Sequence, residues 1–326
     1  MKTSSLKAVR QLALAMVAMF AVTSLVFATP DPPDRMFVFG DSISDPGNAW
    51  LATGTMAMAP YEPIPDFPYA IGGHHFSNGK TWVEVLAGRM AMSPSGQASS
   101  MQPGHFGNYA FGGARARVTT HPAPTAEQQV AAFLADFQGV APADALYVIE
   151  FGGNDAYDAL LDPDNAALIA IEAAGTIVGV VNELYMAGAR HFLVANAPNL
   201  GQVPAVLSLG EPAISGATGL CQFLNLVLEV GFDISADTHI PGLQDLDALP
   251  DITIDRFDLF GFVDVIAANP DVYGITDTFF PCLLFGVSSG AKCNDANKRL
   301  FWDAIHPTKK GHLALADIAE ASLTLD

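Results

Sequence analysis

The alternation of short apolar segments with amphipathic ones constrains the fold of this chain more than any other sequence feature. Five runs have the length and apolar content of buried strands, and four of them end at glycine or asparagine residues that favour turns. Helical periodicity fills much of the chain between them. Alternating strands and helices predict an α/β fold in which helices cover both faces of a parallel sheet. The predicted strands are residues 37–39, 108–111, 146–151, 191–195 and 252–256.

The segments between the strands predict helices of ordinary length, with one exception. Residues 45–76 are rich in glycine, proline and methionine and are predicted to be a long loop with little regular structure. Helices are predicted at residues 81–90, 126–137, 162–189, 218–230, 259–268 and 309–323.

The N-terminus has the features of a separate segment. Basic residues precede an apolar run at residues 12–27, and the small-residue pattern VFA ends at Ala28. These features predict a secretory signal peptide at residues 1–28, and the short apolar run disfavours the competing reading, a retained membrane anchor. Residues 29–326 are then predicted to form one domain with no later bilayer-spanning segment, in a secreted or periplasmic bacterial protein.

The charge balance excludes one class of partner. Cleavage after residue 28 removes Lys2, Lys7 and Arg10 and no acidic residue, so the net charge of −19 becomes −22. Such a surface repels nucleic acid and anionic lipid headgroups. Nucleic-acid binding is therefore not expected. Stable membrane insertion is not expected either, because no later segment is predicted to span a bilayer, and the sequence does not indicate an oligomeric state.

The three cysteines predict one disulfide in an oxidising compartment. Cys282 and Cys293 bracket a short loop that contains glycine and serine, so they are the predicted pair. Cys221 lies in an apolar run and is predicted to be a buried, unreactive thiol. No Cys/His spacing indicates a metal site.

Polar clusters follow several predicted strands, where the topology brings strand ends to one edge of the sheet. Ser42 follows the first strand in the turn Gly40-Asp41-Ser42 and is a candidate nucleophile, although the same residues also favour a simple turn. His306 is the candidate base, and Asp303 three residues earlier can orient its imidazole.

Candidate oxyanion donors are present at the same edge of the predicted sheet. They are the backbone N–H groups of Ser42 and Gly113 and the side-chain amide of Asn154. Asp41 and Asp155 are expected to brace the site through local hydrogen bonds. The parts required for acyl transfer thus occur in one chain.

Four motifs in this order, FVFGDSISDPGN, NYAFGGARA, EFGGND and FWDAIHPT, resemble the blocks of the GDSL-motif (SGNH) hydrolases. The segment FSNGKTWVEVLAG resembles a further segment of their lipase/esterase branch. Ile43 replaces the leucine of the naming motif and Pro46 stands where threonine is common, but neither change removes a catalytic atom. The resemblance implies a three-layer, flavodoxin-like α/β/α sandwich with five parallel strands in the order 2-1-3-4-5.

The resemblance also implies metal-independent ester hydrolysis without a cofactor. Ser42 would be the nucleophile, Asp303 and His306 its partners, and Ser42, Gly113 and Asn154 the oxyanion donors, with Gly112 the alternative if the block is shifted by one residue. The leading hypothesis is a secreted serine esterase or lipase acting on small-molecule or lipid esters. An acyltransferase or phospholipase using the same site and a non-catalytic lipid- or glycan-binding module are the alternatives. The first insertion between predicted elements, about residues 44–75, holds the candidate acyl-pocket residues. They are Met56, Met58, Tyr61, Ile64, Phe67 and Tyr69.

Overall fold

The computed structural model describes residues 33–55, 67–233, 245–283 and 293–324. Four parallel strands form one sheet in the order β1-β2-β3-β4. They are β1 (Arg35–Gly40), β2 (Ala145–Glu150), β3 (His191–Ala195) and β4 (Thr253–Phe257). The predicted α/β class with a parallel sheet is confirmed.

The predicted second strand is not a regular strand, although it takes the expected place. Residues 107–111 run beside β1, on the side away from β2, through the hydrogen bonds Val38 N to Gly107 O (2.9 Å) and Tyr109 N to Val38 O (2.8 Å). A regular ladder would continue with a bond from Gly40 N to Tyr109 O, but Gly40 N donates to Gln129 Oε1 instead (2.9 Å). This side-chain bond interrupts the ladder and explains why only four regular strands occur among the described residues.

Helices connect the strands, and several differ from the predicted ones. The α-helices are α1 (Asn48–Thr53), α2 (Phe67–Ala70), α3 (Trp82–Arg89), α4 (Ala126–Asp136), α5 (Gly153–Leu161), α6 (Ala166–Ala187), α7 (Pro204–Leu207), α8 (Ala213–Phe232), α9 (Phe262–Ala268), α10 (Pro270–Tyr273) and α11 (Lys309–Ala321). Short 3₁₀ turns lie at Ser93–Gly96, Ser99–Met101, Leu200–Gln202 and Ala296–Lys298.

Threonine caps explain where three helices begin. Thr81 precedes α3 and its N–H donates to Glu84 Oε2 (2.9 Å), while Thr125 precedes α4 and exchanges hydrogen bonds with Gln128. Thr308 precedes α11, and its hydroxyl accepts from Gly311 N (3.1 Å). Each cap satisfies N–H groups that have no partner inside the helix.

Two helical predictions were wrong in their bounds. The predicted loop at residues 45–76 contains α1 and α2, because Asp45 accepts from Gly47 N (2.7 Å) and Ala49 N (3.1 Å) and so nucleates the first turn of α1. The helix predicted at residues 162–189 is α6 alone and begins only at Ala166. The preceding helix, α5, was not predicted, and it ends at Leu161 just before Asp162-Pro163, where proline cannot continue a helix.

The core lies on both faces of the sheet. β2 is buried along its whole length, so helices cover both sides. On one side Phe37 of β1 packs on Phe133 of α4 with ring centroids 4.6 Å apart, and α4, α5, α6 and α8 contact one another. A second group of helices consists of α3 and α11, which contact each other. The ring of Trp82 in α3 packs on the ring of Phe257 in β4, with centroids 5.0 Å apart. The three layers place the ends of β1 and β2 at one edge.

The expectation that no later segment reaches bilayer-spanning length was wrong. By length and composition alone α6 and α8 qualify, with mean hydropathies of 1.6 and 1.3. Both are part of the helical layer: α6 buries Ile177, Val181 and Leu184, whereas its Leu168 is 54% exposed.

The cysteines adopt the pairing that the sequence indicates. Cys282 and Cys293 are joined by a disulfide, and Cys221 is a buried free thiol in α8. Burial raises the pKa of Cys221 to about 11, which keeps it protonated at neutral pH. The predicted signal peptide, residues 1–28, lies outside the described residues.

Candidate active site

Ser42 and His306 meet at the edge where β1 ends. The Ser42 hydroxyl lies 2.8 Å from His306 Nε2, and the opposite imidazole nitrogen, Nδ1, lies 2.7 Å from Asp303 Oδ2. An anionic Asp303 holds the imidazole proton on Nδ1, which leaves Nε2 as the acceptor for the Ser42 hydroxyl. The three side chains therefore form a continuous hydrogen-bonded chain.

The turn between Asp303 and His306 is held by its own hydrogen bonds. Asp303 Oδ1 accepts from the backbone N–H groups of Ile305 (2.9 Å) and His306 (2.7 Å). Trp302 N donates to His306 O (2.7 Å) and closes the turn. The spacing of three residues thus brings the carboxylate back to the imidazole, as the sequence predicts.

Asp303 is fully buried, yet its surroundings favour the ionised carboxylate. Burial alone opposes ionisation, but the charge and hydrogen bonds of His306, together with a hydrogen bond from Tyr69, outweigh it and hold the pKa of Asp303 below its usual value. The Tyr69 hydroxyl donates to Asp303 Oδ2 at 2.6 Å. The carboxylate is therefore stabilised as an anion beside the imidazole.

Gly113, rather than Gly112, is the better placed backbone donor. Gly112 N already donates to the buried carboxylate of Asp45 (2.8 Å). The amides of Ser42 and Gly113 donate no hydrogen bond within the described ranges. Gly113 has φ of +79°, a conformation that favours glycine. Because it has no acceptor within the described ranges, the Gly113 N–H is available to a ligand.

Asn154 lies in the first turn of α5 and connects the two sides of the site. Its Nδ2 donates to Ala114 O (3.0 Å) and to Asp41 Oδ2 (3.1 Å). The Asp41 bond brings the amide beside the residue that precedes Ser42. The structure therefore groups Asn154 with Ser42. In the absence of a ligand, the Asn154 side-chain amide donates to protein acceptors.

An arginine holds the glycine loop against α5. The Arg115 guanidinium, 2% exposed, donates to Gly113 O (2.7 Å) and to both carboxylate oxygens of Asp158 (2.8 and 3.1 Å). Asp155 Oδ2 accepts from Ala116 N (2.8 Å), so it braces the same loop as the sequence suggests. The two elements that carry Gly113 and Asn154 are thereby fixed relative to each other.

Two buried carboxyl groups lie beneath Ser42, and sequence reasoning missed one of them. Burial raises the pKa of Asp41 to about 6, and burial together with the Asp41 charge raises the pKa of Glu150 well above its ordinary value. Glu150 Oε2 accepts from Ser44 Oγ (2.9 Å), and Trp82 Nε1 donates to the same hydroxyl (3.1 Å). A charged residue that ends an otherwise apolar strand was the available signal for Glu150.

Two aromatic residues of the first insertion also reach the site. The Phe76 ring lies 5.2 Å from the His306 ring, with an angle of 36° between the planes. Tyr69, predicted as an acyl-pocket residue, instead directs its hydroxyl to Asp303. The other candidate pocket residues, Met56, Met58, Tyr61, Ile64 and the side chain of Phe67, lie outside the described part of the chain.

A serine, a histidine and an aspartate are connected here beside candidate oxyanion donors, at the edge of an α/β sheet. Acyl-transfer enzymes use such an arrangement. The sequence profile of the GDSL-like lipase/acylhydrolase family matches residues 36–319. The chain therefore belongs to the GDSL-like lipase/acylhydrolase family, and the resemblance seen in the motifs is confirmed.

Individual relatives are distant in sequence. Lipase 1 of Photorhabdus luminescens is 25% identical over 90% of this chain, which spans only 50% of that protein. A GDSL esterase/lipase of Arabidopsis thaliana is 28% identical over 88% of this chain and 81% of the relative. The thermolabile hemolysin of Vibrio parahaemolyticus is 24% identical over 88% of this chain and 63% of its own length.

Among solved structures, an acetyl xylan esterase from Geobacillus stearothermophilus aligns with 90% of this chain and 95% of its own chain, with a TM-score of 0.40 and 15% identity. Family membership supports a hydrolase of ester substrates in general terms.

Proposed function

We propose that this chain is a secreted serine hydrolase of carboxylic esters that works through an acyl-enzyme. The observation that carries the proposal is the 2.8 Å contact between the Ser42 hydroxyl and His306 Nε2, with Asp303 on the opposite imidazole nitrogen. Membership of the GDSL-like lipase/acylhydrolase family supports the same reaction class.

In the proposed first half-reaction, Ser42 Oγ attacks the ester carbonyl while His306 Nε2 takes its proton. The developing oxyanion accepts hydrogen bonds from the N–H groups of Ser42 and Gly113 and from the Asn154 amide, which exchanges its Asp41 contact for the substrate. Collapse of the tetrahedral intermediate breaks the bond to the leaving alkoxide, and His306 returns the proton to it. The acyl group is then bonded to Ser42.

In the proposed second half-reaction, water replaces the alcohol. His306 takes a proton from the water as its oxygen attacks the acyl carbonyl, and the same donors hold the second oxyanion. Collapse releases the carboxylic acid and returns the proton to Ser42. Asp303 remains ionised throughout and stabilises the imidazolium that forms twice in each cycle.

The first testable prediction concerns the nucleophile. Ser42→Ala should lower kcat/KM at least about 10⁴-fold on every hydrolysed ester, because no other group can form the acyl-enzyme. The measurement is hydrolysis of aryl esters of graded acyl length, a phospholipid and acetylated sugars by both proteins, with circular dichroism as the folding control. Activity of the variant equal to that of the wild type would contradict the proposal.

The same panel separates the proposal from its alternatives. Acyl transfer to an added alcohol in preference to water would indicate an acyltransferase, and cleavage confined to phospholipids would indicate a phospholipase. Binding of lipid or glycan without turnover of any ester would indicate a non-catalytic module.

The proposed secretion is supported by the predicted signal peptide and by the disulfide between Cys282 and Cys293. Expression of the full chain in a Gram-negative host should give a protein in the periplasm or medium whose N-terminus is Thr29. Recovery of an uncleaved chain in the cytoplasm would contradict secretion without affecting the proposed reaction.

A further inference from the structure

We propose that Tyr69 is a positioning residue that holds the Asp303 carboxylate in the charge state and orientation that His306 requires. The inference rests on the proposed function and assigns a role to the first insertion. Tyr69 lies in α2, 234 residues before Asp303, and belongs to none of the sequence motifs. Its side chain is completely buried, so its hydroxyl acts on the reaction only through Asp303.

Tyr69 completes the set of donors around Asp303. A carboxylate offers about four acceptor positions. The Ile305 and His306 amides donate to Oδ1, and His306 Nδ1 and the Tyr69 hydroxyl donate to Oδ2 at 2.7 and 2.6 Å. Because Asp303 is fully buried, water cannot replace a missing donor at this position.

The surroundings of Tyr69 fix its ring in place. It belongs to a small apolar cluster, separate from the main core, that joins the first insertion to the disulfide and to the residue before Asp303. Leu283 N donates to Trp302 O (2.6 Å) and ties the disulfide segment to the Asp303 turn. The buried members of the cluster are Ala49, Tyr69, Phe76, Cys282, Leu283 and Trp302.

The Tyr69 hydroxyl orients the Asp303 carboxylate and also limits how strongly that carboxylate raises the basicity of the His306 imidazole. A hydrogen bond to Oδ2 withdraws negative charge from the oxygen that accepts His306 Nδ1–H. Burial and the Asp303 charge raise the pKa of Tyr69 above its ordinary value, so the phenol stays protonated and remains a donor. Without the Tyr69 hydroxyl, Asp303 Oδ2 would carry more negative charge beside the imidazole and would be held less firmly.

Other titratable groups also face His306, and the test keeps them constant. Asp41 lies on the Ser42 side, and its charge interacts with that of the imidazole. His312 of α11 is buried and interacts with both His306 and His75. None of the three contacts the Tyr69 hydroxyl, so a change at Tyr69 leaves them in place.

The test is Tyr69→Phe in the full chain. The acid limb of the kcat/KM profile should move to higher pH by about 0.5 to 1 unit, because the imidazole proton is held more tightly by a carboxylate that has lost one donor. On the plateau, kcat should fall about 3- to 10-fold with KM unchanged, since a completely buried group does not bind substrate.

Tyr109→Phe is the matched control. The Tyr109 hydroxyl donates to Asp136 Oδ2 at 2.8 Å, at the end of α4. The variant therefore removes another tyrosine–aspartate bond, part-buried because Asp136 is exposed, that lies outside the His306 network. Both variants should lose thermal stability, but only Tyr69→Phe should change the pH profile. Equal pH profiles for the two variants would overturn the proposal.

A double-mutant cycle and a measurement without turnover complete the design. In an Asp303→Asn background, Tyr69→Phe should change kcat less than twofold, and a full effect there would overturn the proposal. The low-field NMR resonance of His306 Nδ1–H should shift in Tyr69→Phe and not in Tyr109→Phe. Since that signal needs no substrate, the Tyr69 role is tested even if Ser42→Ala shows the proposed reaction to be wrong.

Discussion

Individual residues of the site are held by hydrogen bonds that leave little freedom to the reacting atoms. Asp303 accepts from two backbone amides, one imidazole and one phenol, and Asn154 donates to two protein oxygens. Such preorganisation lets charge develop on a substrate without costly rearrangement of the protein. Single substitutions here should therefore affect activity far more than stability.

Asn154→Ala should lower kcat about 10²- to 10³-fold, the usual effect of removing one oxyanion donor, and should change KM by less than about threefold. Steady-state kinetics on one aryl ester measures both constants. Asn165→Ala, at an exposed position before α6, is the control that should behave as the wild type. A loss of less than threefold in kcat for Asn154→Ala would exclude it as an oxyanion donor.

His75 predicts a pH-dependent contribution to stability. Burial alone would lower its pKa, but the hydrogen bond and charge of Glu84, 2.8 Å away, raise the pKa above the ordinary value of 6.5. The folded chain thus binds this proton more tightly than the unfolded chain does. The resulting stabilisation is fully present below about pH 6.5 and is lost as pH rises through the raised folded value.

Urea unfolding of the wild type and of His75→Gln from pH 5.5 to 9 measures the contribution of His75 to the unfolding free energy. The difference in unfolding free energy should be largest at the acid end and should shrink above neutrality, whereas His105→Gln, at an exposed histidine, should show no such trend. A difference that grows with pH would show that the pair does not hold the extra proton.

Local sequence signals explain which site residues were predictable. Ser42 follows a strand, and Asp303 and His306 lie three residues apart before a capped helix, so short-range patterns identify them. Tyr69 and Glu150 have partners that lie 234 and 106 residues away in the chain. Only the packed fold brings such pairs together, so the sequence does not identify their partners, although the charge at the end of an apolar strand marks Glu150 itself.

At the scale of elements, strand ends and helix starts determine where the site lies. β3 begins and ends where its apolar run predicts, and α3, α4 and α11 begin at their threonine caps. The irregularity of segment 107–111 and the short helix α1 were not predictable in the same way, because side-chain hydrogen bonds to the backbone from Gln129 and Asp45 decide their conformation.

Gly112, which follows segment 107–111, lies so close to a neighbouring side chain that one added methyl group should have a large effect on activity and stability. A Cβ on Gly112 would overlap the ring of Phe76, which packs on His306. Gly112→Ala should therefore lower kcat/KM at least about 10-fold and lower the unfolding free energy by about 1–3 kcal/mol.

Gly175→Ala is the matched control, because a Cβ there meets nothing within 4 Å and the residue lies inside α6. It should leave kcat/KM unchanged and raise stability by about 0.5–1 kcal/mol. Thermal unfolding and ester hydrolysis of both variants make the comparison. Full activity of Gly112→Ala would show that Phe76 can move without disturbing His306.

The whole molecule consists of a main core around the parallel sheet and a smaller apolar cluster under the first insertion. The disulfide between Cys282 and Cys293 belongs to this smaller cluster, where Cys282 N donates to Phe301 O (3.0 Å). The α/β class and the pairing followed from sequence, since alternation and cysteine spacing are local. The division into two clusters did not, because it depends on how distant insertions pack.

Replacement of both Cys282 and Cys293 by serine should lower the unfolding free energy by about 3 kcal/mol. Without the cross-link over 11 residues, the unfolded chain gains conformational entropy and becomes more favourable. Chemical unfolding with and without a reductant measures it. The reductant should destabilise the wild type and leave the double variant unchanged. A double variant as stable as the oxidised wild type would contradict a structural role for the disulfide.

The proposed reaction depends on Ser42 being a nucleophile activated by His306, and covalent labelling probes this reactivity without a substrate. A fluorophosphonate incubated with the folded protein should add one equivalent, located on Ser42 by peptide mass spectrometry. The reaction should be absent in Ser42→Ala and at least about 10²-fold slower in His306→Ala. A label on a different residue, or equal labelling of wild type and Ser42→Ala, would contradict the account.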